Sequence, residues 1–231
     1  MQVSDLFQKL SYGVFSNLSI GMDGAGNIAE DKKPKIVFYL NNALTQLHSR
    51  FNLKEDTILI QQDGGIRLYS LTVEHALTNA TVATKYIIDS EAKPFVGDLI
   101  KVLEVRDHYG CVLPLNDPES CRSVFTPQPE VIQVPSPVTG MPLGVAYQAR
   151  HISIPAGDET AEIVIPNSLE EALMAYIAYQ QYRDLNTQES TAKAAEHLSL
   201  YEAMCSQVEA RDLVNGSYSM TNSRFAKGGW V

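Results

Sequence analysis

The sequence predicts an α+β fold: a helical bundle built from N-terminal helices and a C-terminal αα-hairpin, with a β-rich insertion in the middle. Three observations predict it. Apolar residues recur at helical spacing before about residue 56 and again after about residue 166. Short β-type runs and most of the prolines crowd the stretch between. Two capping-box patterns, Ser168-Leu169-Glu170-Glu171 and Asn186-Thr187-Gln188-Glu189, stand before the last two apolar stripes. The expected division is 1–56 for the N-terminal helical part and 57–165 for the β-rich insertion. Residues 166–212 form the hairpin packing on the N-terminal helices, and 213–231 an extended C-terminal arm.

Each element has its own signal. Val3, Leu6, Phe7 and Leu10 make a short amphipathic helix that Ser4 can cap and Gly13 ends. A glycine-rich loop follows, from Gly21 to Asn27. Pro34 suits the first turn of a second helix, where its missing N–H has no intrahelical partner. Ile36, Leu40, Leu44, Leu47 and Phe51 then form one continuous stripe. Thr57 to Gln61, then Asp63-Gly64-Gly65, then Ile66 to Tyr69 is a hairpin or turn signal. Further β-type runs lie at 83–88, 99–106, 112–115, 131–134, 143–149 and 161–165, punctuated by turns such as Asn116-Asp117-Pro118. Leu169, Leu173, Tyr176 and Ile177 face one way on a third helix; Ala194, Leu198, Tyr201, Cys205 and Val208 do so on a fourth. So short a link between them predicts an antiparallel pair.

Composition narrows the function. The 231 residues are 45% apolar and only 19% charged, below the ~25% of ordinary soluble domains. That excludes a largely disordered chain and points to surface covered by a partner. The net charge of −9 argues against a grip on nucleic acid, which needs Lys and Arg against phosphate. Three cysteines, Cys111, Cys121 and Cys205, give an odd count without CxxC, so a reducing compartment is expected. The sequons at Asn17, Asn79 and Asn215 then carry no weight. No run approaches the ~18 apolar residues of a membrane span, and no signal peptide or membrane partner is expected.

Motifs for chemistry fail on context. Gly24-Ala25-Gly26-Asn27-Ile28-Ala29 matches a dinucleotide fingerprint, but no strand precedes it and no helix starts on it. His48, His75, His108, His151 and His197 are scattered without metal-ligand spacing. Glu170 and Glu171 stand at a helix start, where capping and the helix dipole explain them. No catalytic residue, cofactor or metal is assigned.

Partner contacts are the remaining reading. The last segment has no period, but it carries Tyr218, Arg224, Phe225, Lys227 and Trp230. These include residue types that anchor interfaces. Its only charges are positive on an acidic protein. An arm that orders on binding is the functional reading of this segment. Tyr176 is expected in the core, while Tyr179 and Tyr182 fall partly off the stripe and are candidates for subunit contacts.

Three stretches resemble head-to-tail adaptor (connector) proteins of short-tailed bacteriophages, the podovirus-like phage adaptor family. They are Lys35 to Phe51 running into Thr57-Ile58-Leu59-Ile60; Gly144 to His151 ahead of Ile163-Val164-Ile165-Pro166; and Leu169 to Tyr182 followed by Ala192 to His197 and Tyr201-Glu202. The resemblance implies a structural virion protein at the head–tail junction, found in the host cytoplasm during assembly. It implies a ring of twelve copies bound to the portal protein and to a tail nozzle or tail-tube protein. The ring would extend the DNA channel and pass DNA without specific binding, and it would carry neither enzymatic activity nor a cofactor. A net negative subunit suits a channel in which DNA must slide. The alternatives are a tail nozzle or tube component, an assembly factor absent from the finished particle, and a small-ligand-binding or enzymatic module using the β-rich middle.

Overall fold

The structure, a computed structural model, describes residues 1–16, 18, 20, 26–79, 83–211 and 213–214. The chain divides into two compact units, one of residues 1–32 with 159–231, the other of residues 33–158.

Among the described residues, the first unit holds three helices: α1 (Val3–Tyr12), α3 (Glu170–Leu185) and α4 (Gln188–Ala210). In α1, Val3, Leu6, Phe7 and Leu10 are buried, as their spacing predicts. Its cap lies earlier than Ser4: the Gln2 N–H donates to the Asp5 carboxylate at 3.0 Å. Gly13 closes the helix with its N–H on the Lys9 carbonyl at 3.0 Å. Residues 161–165 do not form a strand. They make a single antiparallel bridge, Gln2 to Glu162, flanked by Val3 N–H on Ala161 O and Ile163 N–H on Met1 O.

Both expected capping boxes shift. A 3-10 turn over Asn167–Leu169 comes first, so α3 starts at Glu170 without a side-chain cap from Ser168. Asn186 adopts a left-handed conformation (φ 50°) that ends α3, and Thr187 becomes the cap of α4. Thr187 Oγ1 accepts the Ser190 N–H at 3.1 Å, and Ser190 Oγ accepts the Thr187 N–H at 2.9 Å. With the left-handed residue used at the joint, the reciprocal pair moves one position along.

Among the described residues, the second unit holds α2 (Lys33–Arg50) and eight strands: β1 (Glu55–Gln61), β2 (Leu68–Ser70), β3 (Ile87–Ile88), β4 (Leu99–Arg106), β5 (Val112–Leu113), β6 (Phe125–Gln128), β7 (Val131–Gln133) and β8 (Pro142–Ala149). They form two antiparallel sheets, ordered β3-β1-β8-β4-β5 and β2-β7-β6. β8 is central to the larger sheet, pairing Leu59 with Gly144 on one side and Val105 with Val145 on the other. One core of buried side chains joins both sheets, including Ile60, Val105 and Tyr147 with Tyr69 and Ile132.

Two expectations are corrected here. The turn at Asp63-Gly64-Gly65 forms, with Ile66 N–H on Asp63 O at 2.9 Å, but it does not close a hairpin. β1 stays in the larger sheet while β2 pairs with β7 in the smaller one. The helical bundle with a β-rich insertion is also overturned. The described residues form an α+β structure of four helices and eight strands in two antiparallel sheets, with α2 inside the strand-containing unit.

Hydrogen bonding gives the physical reason. The Gln148 amide on β8 donates to the His48 and Phe51 carbonyls at the end of α2, satisfying groups that a helix C-terminus leaves open. The Asn41 amide pairs with both the N–H and the C=O of Ile154, each at 2.9 Å. An apolar stripe announces that a helix is buried, but not which element buries it.

Candidate interaction surface

The larger sheet presents two unlike faces. Ile58, Ile60, Val105, Leu143 and Val145 point into the core and are buried. The opposite face carries Thr57, Leu59, Gly144, Ala146, Glu104, Arg106 and Val112, as the alternation of strand side chains requires. One cross-strand row runs Ile88, Leu59, Gly144, Arg106, Val112. Leu59 is 47% and Val112 57% exposed. Glycine and alanine in the middle keep this face flat. The only charges on its two central rows, Glu104 and Arg106, pair with each other. At the Gln148 end the end of α2 covers the same face; at the Gly144 end Leu59, Arg106 and Val112 are exposed among the described residues.

Beside this face stands the β4–β5 turn. Asp107 Oδ1 accepts the N–H groups of Tyr109 and Cys111, each at 2.9 Å, and Oδ2 accepts Arg122 at 2.8 Å. Desolvation, the largest single contribution, pushes its carboxyl up, but those hydrogen bonds and the Arg122 charge together outweigh it and hold the group below the usual range. The fixed turn displays Tyr109 at 80% exposure, against His108 with ring centroids 3.8 Å apart.

Two tyrosines stiffen the smaller sheet and its surroundings. Tyr69 hydroxyl bridges the N–H and C=O of Asp63, and Tyr86 hydroxyl bridges those of Ser70. The second bridge occupies main-chain groups at the end of β2, blunting an edge that could otherwise pair with another chain. Burial pushes the Tyr86 hydroxyl up to about 12.

Buried polar groups in this unit serve packing. Asp98, 5% exposed, accepts Tyr147 hydroxyl at 3.0 Å and Lys54 Nζ at 2.7 Å. Burial, then the Asp98 charge, raises the Tyr147 hydroxyl far above its ordinary value, so it keeps its proton. His48 is buried, with Nδ1 3.3 Å from Ala149 O and its ring 5.6 Å from that of His151. Desolvation is the largest cause lowering its pKa, with the His151 and Lys54 charges adding to it. Among the described residues, no group of three His, Cys, Asp or Glu is placed to hold a metal ion. Nor is any helix among them long and apolar enough to cross a membrane.

A cleft of about 260 Å³ opens where β3 leaves β1, bounded by Asp56 to Leu59, Ile88 to Ser90 and Lys93 to Phe95, with Tyr147. A second, of about 280 Å³, lies among Gln62, His108, Cys121, Arg122 and Met141.

In the helical unit the candidate tyrosines separate. Tyr182 is buried, donates its hydroxyl to Val14 O at 3.3 Å and stacks on His197 at 5.3 Å. Tyr179 is half-buried beside Tyr176, with the Arg183 guanidinium 5.6 Å from its ring. Tyr176, expected in the core, is also half-buried and packs on Tyr201 at 4.9 Å. Tyr218, Arg224, Phe225, Lys227 and Trp230 lie outside the described residues. The open sheet face was missed in the sequence. Alternation along a strand requires one side to point outward, but does not say that α2 stops short of covering it.

No protein-family model matches the chain, and no curated protein matches it.

Proposed function

We propose that the chain is a structural virion protein, a head-to-tail adaptor whose copies form a ring joining portal to tail and extending the DNA channel. The observation that carries this reading is the open sheet face, with Leu59 and Val112 exposed around Gly144 on a flat surface. Such a face suits contact with another protein rather than turnover of a small molecule. The class of assembly rests on the resemblance of residues 35–60, 144–166 and 169–202 to phage adaptors. The net charge of −9 agrees with a pore through which DNA slides. A ring needs two different patches that meet between neighbours. The open sheet face is one candidate patch, the Tyr179 surface of α3 a second, and the segment 213–231 is the candidate contact to portal.

The test is capture of the full-length protein on purified portal, followed by imaging of the complex. A ring at the portal vertex is expected. Removal of residues 213–231 should leave a folded protein that no longer docks, and Trp230→Ala should weaken docking. Failure of the intact protein to bind portal, or particles that assemble and infect without it, would remove the reading.

A further inference from the structure

β1 is seven residues long, but β3 pairs with it only at Leu59 and Ile60. Gln61 N–H bonds Tyr86 O on the β3 side. Because main-chain groups alternate sides along a strand, the N–H and C=O of Thr57 and Glu55 face the same way, past the end of β3. The cleft of about 260 Å³ lies against this stretch. Its open edge is stoppered locally: Asp56 Oδ1 takes the Thr57 N–H at 2.7 Å, and Lys93 pairs with the same carboxylate oxygen. Asp89 completes the wall, accepting Thr78 and Phe95 N–H groups. Two carboxylates against one lysine leave the slot net negative.

We propose that, between copies not docked on portal, this edge receives residues 215–231 of a second copy as an added strand. That segment is 17 residues long, carries Arg224 and Lys227 as its only charges, and contains no proline to deny an edge its N–H. Extended, it reaches about 56 Å at ~3.3 Å per residue, enough to cross to a neighbour. On docking, the incoming carbonyl replaces Asp56 on the Thr57 N–H, and the freed carboxylate pairs with Arg224 or Lys227. This inference rests on the adaptor reading only in requiring a second copy within reach.

The test uses the full-length protein and a synthetic peptide of residues 215–231, read by amide hydrogen exchange and fluorescence anisotropy. Exchange at the Glu55 and Thr57 amides should slow at least tenfold with peptide, and with rising protein concentration in its absence. A peptide carrying Arg224→Glu and Lys227→Glu should bind at least tenfold more weakly. Lys93→Glu, at an exposed position, should tighten binding severalfold, whereas a purely structural lysine predicts no gain. Thr57→Pro should abolish binding; if that variant misfolds, the peptide variants decide alone. Peptide binding without protection at Glu55 and Thr57 would overturn the proposal, as would no binding at millimolar peptide. Protection independent of both concentrations would assign the slot to the chain's own segment and likewise overturn it. Portal capture is a separate readout: its survival alongside a negative peptide result removes only this contact, and its loss removes the adaptor reading.

Discussion

Leu59 and Ile60 are neighbours on β1, yet they live in different surroundings. Ile60 is fully buried in the core shared by the two sheets, while Leu59 is about half exposed on the opposite face. The core face is built of large branched side chains that interlock. The outer face is covered at one end by the close of α2 and left flat, small and partly apolar at the other. A strand's twofold period separates the two faces, but the identity of whatever lies over the outer one comes from elsewhere in the chain.

The contrast can be broken by substitution. Ile60→Ala should cost about 2–5 kcal/mol in denaturant unfolding, since it leaves a cavity in packed surroundings. Tyr147→Phe should cost about 1–3 kcal/mol, because Asp98 then loses a buried donor. Near the covered end, burial lowers the pKa of His48, and in the helical unit it lowers that of His197. Both stay neutral when folded at a pH where the unfolded chain, with values near ~6.5, already takes up protons. Their contribution is complete above that value and is lost as pH falls from it toward the folded values. Unfolding midpoints at pH 7.5 and 5.0 should therefore differ, with the acid sample less stable, and His48→Gln should reduce the difference. The smallest effect belongs to Leu59→Ala, about 0.5 kcal/mol or less in stability. The same substitution should impair association with partner or neighbour in a sedimentation assay, and an equal loss of stability at positions 59 and 60 would refute the two-face description.

How much of this was legible depended on range. α2 and β4 announce themselves through local spacing, and the structure places β4 at Leu99–Arg106 as read. β6 was hidden by Pro127, which reads as a strand breaker and is tolerated in a strand bordering only β7. The pairing of Leu59 with Gly144 joins residues far apart in the chain, and no local pattern encodes it. Asn186 shows a subtler failure: the capping pattern was present, but a left-handed joint used its first residue and moved the cap to Thr187. For the interaction surface, the tyrosines of α3 drew attention through their chemistry. Tyr182 spends its ring and hydroxyl inside its own unit, whereas Leu59 looked like any strand leucine.

The placement of β8 governs how the molecule can be made. Both β1 and β4 need it as a partner, yet it leaves the ribosome long after either. Until residue 149 emerges, the two waiting strands expose bare main-chain edges on the nascent polypeptide. The helical unit waits longer still, because its opening residues pair with 161–163. Slow translation before codon 150 should therefore favour chaperone capture, and a circular permutant that supplies β8 early should escape it.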